Sequence, residues 1–406
     1  MTIVNNRADF PILETTMNGK PLAFLDSAAS AQKPISVINA MSDLQKSGYS
    51  NIHRGLYRIS QDLTANFEAV RAKIARFIGA NSEKEIVFTR NATESINLVA
   101  HSWGRTHLRK GDEIIITAME HHANIVPWQL LRDEIGIVIK VIPVRDDGTL
   151  ELDAFETLLS DKTKLIACVH TSNAFGVINN ASKIINLSRK FNPKIKVLLD
   201  GTQAIVHEKI DVETLDCDFF AFTGHKLYGP SGIGVLYGKY DILEVMSPYQ
   251  GGGDMIEHVT LDKTTYKEPP YRFEAGTPAI TEVIGLGAAI DYIESIGLTA
   301  IQAHEKTLSD LAHKELKAIQ GVRVYGDTPD KIGVLSFTLD GAHISDIAMI
   351  LDQCGVATRS GHHCCMPLMQ RFGIDGTIRA SIALYNNEDD IHQFIEGVKK
   401  AKDMLL

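Results

Sequence analysis

The chain reads as an α/β protein: a large domain around a mostly parallel, seven-stranded sheet, joined to a smaller α+β domain. Three observations predict this. Between about residues 85 and 240, short apolar runs alternate with helical segments. Runs such as Val197-Leu198-Leu199 are continuously apolar, as strands covered on both faces are. Beyond residue 296 the texture changes to intermixed helices and strands. With 406 residues, the chain is also longer than a single core usually serves.

The expected strands of the large sheet are 85–89, 113–117, 138–144, 164–171, 196–200, 218–222 and 232–237. Helices are expected over 93–103, 123–135, 153–160 and 181–191. A long helix, 281–296, follows the Gly276-Thr277-Pro278 turn, and an amphipathic one spans 299–319. The smaller domain then has strands at 322–325, 332–338, 356–359 and 377–384, with helices over 344–353 and 388–406. In the last of these, Ile391, Phe394, Ile395, Val398, Ala401 and Leu405 keep helical spacing. The division expected is 26–295 for the large domain, with 1–25 and 296–406 for the small one. Residues 1–25 have no clear pattern of their own and are assigned to the small domain.

Composition is that of a folded chain, 44% hydrophobic and 22% charged, which excludes disorder or a fibrous repeat. The net charge of −9 argues against nucleic acid or an anionic membrane as the main partner. The first residues have no basic start followed by an apolar run, and no stretch approaches a membrane-spanning length. Five cysteines, an odd number, fit a reducing compartment, so a cytoplasmic location is expected.

In open α/β sheets, ligands sit beyond the carboxyl ends of the strands. Polar residues cluster there: Thr93, His121, His122, Asn173, Asp200, Gln203 and the run Thr223-Gly224-His225-Lys226. One ligand accounts for the set. Pyridoxal phosphate needs a lysine for an imine bond, a carboxylate for its pyridinium nitrogen and donors for its phosphate. Lys226 and Asp200 supply the first two. The helix start at Ala92-Thr93-Glu94 offers N–H groups to the phosphate, with Thr223 and His225 as side-chain donors. His121 is placed to stack on the ring, and Asn173 and Gln203 to donate to the phenolate oxygen.

Asp200-Gly201-Thr202-Gln203-Ala204, Thr223-Gly224-His225-Lys226 and Arg359-Ser360-Gly361-His362-His363-Cys364 resemble the fold-type I cysteine desulfurases of iron–sulfur assembly. The likeness is to their SufS group, whose members also act as selenocysteine lyases. It extends over Ala28-Ala29-Ser30-Ala31-Gln32-Lys33-Pro34, Glu120-His121-His122-Ala123-Asn124 and Arg272-Phe273-Glu274-Ala275-Gly276-Thr277-Pro278. The resemblance implies roles. Lys226 holds the cofactor and moves the proton, and Cys364 is the nucleophile that becomes a persulfide. Arg379 clamps the substrate carboxylate of L-cysteine or L-selenocysteine. Arg359, His53 and Arg54 lie near the site, the last two at a dimer edge. Thr277 reaches the phosphate in the partner subunit, so a homodimer is implied. A sulfur acceptor of SufE type is implied, with a zinc-containing SufU type as the alternative and a SufBCD scaffold downstream.

Two positions depart from the family pattern: Thr223, where serine is common, and Cys365, where alanine is expected. Neighbours in an extended loop point opposite ways, so Cys365 is read as a spectator. His362, His363 or the cofactor's charge are the candidates for activating Cys364. The run His362-His363-Cys364-Cys365 is not read as a metal site, because four adjacent residues cannot converge on one tetrahedral ion. Cys168, Cys217 and Cys354 are read as inert, His170 and His207 as structural, His122 as a spectator, and Gly251-Gly252-Gly253 as a tight backbone path. The alternatives are another enzyme of this scaffold, such as an aminotransferase or kynureninase-like lyase, and a catalytically silent assembly scaffold. Cys364 discriminates, since those other reactions need no thiol.

Overall fold

Continuous apolar runs do form the central sheet. The computed structural model describes residues 6–406. Seven strands share one sheet: β1 (Ile86–Thr89), β2 (Glu113–Thr117), β3 (Val138–Ile142), β4 (Thr163–Val169), β5 (Lys196–Asp200), β6 (Phe219–Thr223) and β7 (Gly234–Gly238). Their spatial order is β1-β7-β6-β5-β4-β2-β3. β7 runs antiparallel to both its neighbours, and the pairs from β6 to β3 are parallel. Every residue of β2, β6 and β7 is buried, as expected of strands covered on both faces. β3 lies at the edge, where Val138 and Val141 are exposed. It stops at Ile142, short of the expected 144, and Val144 bridges back to Leu150 instead.

The helices follow the same logic. Ala181–Phe191 buries Ala181, Ile184, Ile185 and Ser188 on one face; Asn180 caps its start by accepting from the Lys183 N–H. Glu388–Leu405 opens with a capping box between Asn387 and Asp390. Two long helices, besides several short ones, lie where the sequence pattern left no element. Ile35–Ser47 buries only Val37, so its pattern is weak. Arg58–Phe77 buries Leu63, Phe67, Val70 and Ile74 at helical spacing. Among the described residues no single helix is long and apolar enough to cross a membrane.

A second sheet contains β8 (Val322–Tyr325), β9 (Val334–Leu339), β10 (Arg359–Gly361) and β11 (Thr377–Ser381), ordered β8-β9-β11-β10 and antiparallel throughout. The single strand expected over 356–359 is two pieces. Val356–Ala357 pairs in parallel with Ala23–Phe24, and the chain then turns at Thr358 to let Arg359–Gly361 join β11. The cause is tertiary, since each piece has a different partner. Within the 1–25 segment, residues 1–5 lie outside the described residues. The Phe10 ring packs against Tyr228, Tyr292 and Tyr385, and Arg7 pairs with Asp390 at 2.9 Å.

One buried cation ties β1 to the helix Arg58–Phe77 and to the 273–279 loop. Arg71, 1% exposed, bonds to Glu274 at 2.6 and 3.0 Å, to Glu68 at 2.8 Å and to the Ile86 carbonyl at 2.9 Å. Its guanidinium also lies 4.4 Å from the Phe88 ring centroid. Removing it strands the buried Glu274 carboxylate. Arg71→Ala is therefore expected to destabilise the fold by about 3–5 kcal/mol, read as a lower thermal and denaturant midpoint; an unchanged midpoint would refute the assignment.

Candidate active site

The carboxyl ends of β1, β2, β4, β5 and β6 converge on a cavity of about 420 Å³. Each strand end hands one polar group to it: Ala92 and Thr93 after β1, His121 after β2, Asn173 after β4, Gln203 with Asp200 from β5, and Lys226 with Thr223 and His225 from β6. The far wall comes from the second sheet and its loop, as Arg359, Cys364 and Arg379. Thr277, His53 and Arg54 do not line this cavity. Thr277 faces a separate groove with Arg90 and Tyr249, and His53 bonds to Glu68 at 3.0 Å. Arg54 pairs with Asp254 at 3.5 Å.

The electrostatics favour neutral bases. Burial lowers the Lys226 pKa to about 8, against the opposing pull of Asp200, so the free amine is accessible near neutrality. The His121 ring has its pKa lowered to about 4, chiefly by burial. Its Nδ1 accepts from the Ala123 N–H at 3.0 Å, which places the proton of the neutral ring on Nε2. His225 is likewise pulled to about 4 by burial, with Lys226 and Lys33 adding. Asp200 is buried, and its Oδ1 accepts from the Thr202 N–H at 3.0 Å.

Three buried atoms of residues lining this cavity lack any partner: Thr202 Oγ1, His363 Nδ1 and Arg379 Nε. The Thr202 hydroxyl and the Arg379 guanidinium can both donate, which suits an anionic ligand. At the β1 end, Asn91 Oδ1 caps the Glu94 N–H, which leaves the Ala92 and Thr93 N–H groups of the first turn open. An amine, a buried carboxylate, a neutral imidazole face and open donors together fit pyridoxal phosphate.

The structure adds partners to several expected residues and corrects two readings, those of His363 and of the three glycines. Gln203 Nε2 donates to the Ala28 carbonyl at 2.9 Å. The Asn173 amide is bonded as well. Its Nδ2 donates to the His363 carbonyl at 2.8 Å, and its Oδ1 accepts from the Cys365 thiol at 3.2 Å. Each amide keeps a second N–H, and both residues line the cavity. His363 cannot activate Cys364 by charge, because burial holds its pKa at about 3. Gly251, Gly252 and Gly253 have negative φ and open space around them, with Ala275 Cβ the nearest atom at 3.9 Å, so no tight path requires them within one chain. The His122 backbone N–H donates to the Cys364 carbonyl at 2.8 Å, and its ring accepts from the Met366 N–H at 3.2 Å.

Two residues were missed. Asp26 binds Arg359 at 2.8 Å and Arg379 at 3.2 Å, aiming both guanidiniums. Its signal was an acid inside the apolar run Ala23-Phe24-Leu25, directly before the Ala28-Ala29 motif. Thr202 lay within a quoted motif but was given no role. The nucleophile loop is strained, with positive φ at His363 (52°) and Cys364 (58°). Such conformations cost on the order of 1 kcal/mol or more each. The Cys364 side chain is exposed, whereas Cys365 is buried, where burial raises its thiol far above the ordinary range.

Residues 23–394 match the aminotransferase class-V family. The chain belongs to the class-V aminotransferases. A cysteine desulfurase of Dickeya dadantii is 49% identical over 400 residues, covering 98% of this chain and 96% of the relative. The Escherichia coli cysteine desulfurase CsdA, solved as its S-sulfonic acid, superposes with a TM-score of 0.92 at 38% identity, covering 98% of each chain. The apo cysteine desulfurase of Thermococcus onnurineus gives 0.93 at 38% identity, covering 99% of each. The mostly parallel seven-stranded sheet is thus the fold-type I architecture of this family.

Two outcomes test the site. Reductive alkylation of Lys226 by an aldehyde should rise as pH passes about 8, where the amine loses its proton. Asp200→Asn removes the charge that opposes this, so its midpoint should fall; peptide mass spectrometry reads both. Cys365→Ala frees Asn173 Oδ1 and should loosen the loop. Cys365→Ser keeps the donor, so protease nicking at 361–366 should be faster in the alanine variant than in the serine one.

Proposed function

We propose that this class-V aminotransferase is a cysteine desulfurase that converts L-cysteine to L-alanine and collects the sulfur on Cys364 as a persulfide. One observation carries the reading: an amine of depressed basicity, Lys226, and an exposed thiol, Cys364, line the same cavity from opposite walls. The near-full-length likeness to cysteine desulfurases supports it.

Pyridoxal phosphate, when bound, supplies the electron sink that makes the substrate's α-proton removable. Lys226 would hold its aldehyde carbon, Asp200 would favour a protonated ring nitrogen, and His121 would offer a neutral face to the ring. The N–H groups of Ala92 and Thr93, with Thr223, His225 and Thr202, would hold the phosphate and ring oxygens. Arg379 and Arg359, both aimed by Asp26, bind the substrate carboxylate. The freed Lys226 amine takes the α-proton and returns it at the end of the cycle. The Cys364 thiolate attacks the substrate sulfur, the carbon–sulfur bond breaks with its electron pair left to the β-carbon, and that carbon takes up the proton that the Cys364 thiol gave up; the sulfur stays on Cys364 while alanine leaves. Protonated thiol would be a poor nucleophile, so the loop presents Cys364 at the open side of the cavity.

The finer reading is a SufS-type enzyme of iron–sulfur cluster assembly in the cytoplasm, with selenocysteine lyase activity. It is a homodimer in which Thr277, His53 and Arg54, absent from their own chain's cavity, complete the partner's. A SufE-type protein takes the persulfide sulfur, or a SufU-type one, with SufBCD downstream. Residues 26–295 form the cofactor domain; 1–25 and 296–406 form the domain that carries the cysteine loop.

Cys364→Ala decides between desulfurase and another enzyme of this scaffold. It should keep the cofactor absorbance and bind cysteine, yet form no persulfide; alanine, sulfide and the modified peptide are measured. Undiminished sulfur transfer in that variant would defeat the proposal.

A further inference from the structure

The His122 side chain does not line the cavity, yet the residue holds the Cys364 loop. We propose that His122 is a positioning residue, a latch that holds the Cys364 loop facing the cavity. This rests on the reading of Cys364 as the sulfur acceptor.

The geometry is two-handed. The His122 backbone N–H donates to the Cys364 carbonyl at 2.8 Å, a bond that every variant at this position keeps, so the ring bond is the one the test removes. Its Nε2 accepts from the Met366 N–H at 3.2 Å. One residue therefore restrains the backbone on both sides of the Cys364–Cys365 link. Its ring centroid lies 5.6 Å from that of His362, whose Nδ1 accepts from the Cys364 N–H at 3.1 Å.

The loop needs such a restraint from outside. His363 and Cys364 both sit at positive φ, which L-residues leave unless held. The exposed Cys364 side chain adds no packing of its own. The helix Met366–Phe372 that follows has no side-chain cap of its own, and the His122 ring supplies an acceptor for its first N–H. His122 also shares a turn with His121, which lines the cavity. Cofactor face and nucleophile are thus tied to one short segment.

The test uses holoenzyme carrying His122→Ala or His122→Gln. Three quantities are read: cofactor absorbance with the KM for cysteine, the rate of persulfide formation on Cys364, and the rate at which iodoacetamide modifies Cys364 in the absence of substrate. His122→Ala is expected to leave absorbance and KM unchanged, slow persulfide formation about tenfold, and speed alkylation several-fold. His122→Gln, whose amide oxygen can accept from the Met366 N–H, should recover most of both rates. A purely structural role would lower cofactor retention and both rates together, without rescue. Persulfide formation in His122→Ala within about twofold of the parent, or loss that glutamine does not recover, overturns the latch. Should the alanine variant fail to fold, His122→Gln against His122→Met decides, and equal behaviour of the two overturns it. A parent enzyme that forms no persulfide would defeat the desulfurase reading, while the alkylation ratio would still judge the latch.

Discussion

The site depends on a seam of backbone, residues 23–31, that stitches the second sheet to the carboxyl end of the first. Leu25 donates to the Ala357 carbonyl at 2.9 Å and accepts from the Ser381 N–H at 2.7 Å. A few residues on, Gln203 Nε2 donates to the Ala28 carbonyl, and the Ala31 N–H donates to the His225 carbonyl at 3.1 Å. Between these contacts stands Asp26, paired with Arg359 and Arg379. The seam satisfies its own buried backbone groups on both sides, so it cannot shift without leaving some unpaired. Lys226 and Cys364 line one cavity because this segment holds their two supports together.

Within that frame, charge is distributed with economy of kind. His121, His225 and His363 are all kept neutral by burial, and the Lys226 amine is brought near neutrality. The fixed cations are guanidiniums, aimed by Asp26 and suited to a carboxylate. Asp26 and Asp200 are the acidic side chains of this frame. The histidines are thus neutral, and Lys226, at about 8, has a minor fraction of free amine near neutrality, as acid–base catalysis at ordinary pH needs.

The nucleophile loop follows a different design. Its strained residues are restrained by contacts from four positions: Asn173 and Thr377 hold His363, and His122 and His362 hold Cys364. Exposure leaves the Cys364 sulfur open to solvent at the cavity wall. Cys365 points the opposite way, into the core, where its thiol serves the Asn173 amide.

Much was legible in the amino-acid order alone. Apolar runs such as Phe219-Phe220-Ala221-Phe222 determined the strands, because only a doubly covered sheet buries them. Polar residues at the strand ends identified the cavity, because an open α/β sheet puts its ligands there. The collinear motifs named Lys226, Asp200 and Cys364. Tertiary structure alone decided the rest. Which atoms Gln203 and Asn173 bond, the split of 356–361 between two partners, the aim of Asp26 and the grip of His122 all arise between segments far apart in the chain. Side-chain hydrogen bonds depend on which groups folding brings within about 3 Å, and local patterning carries no record of that distance.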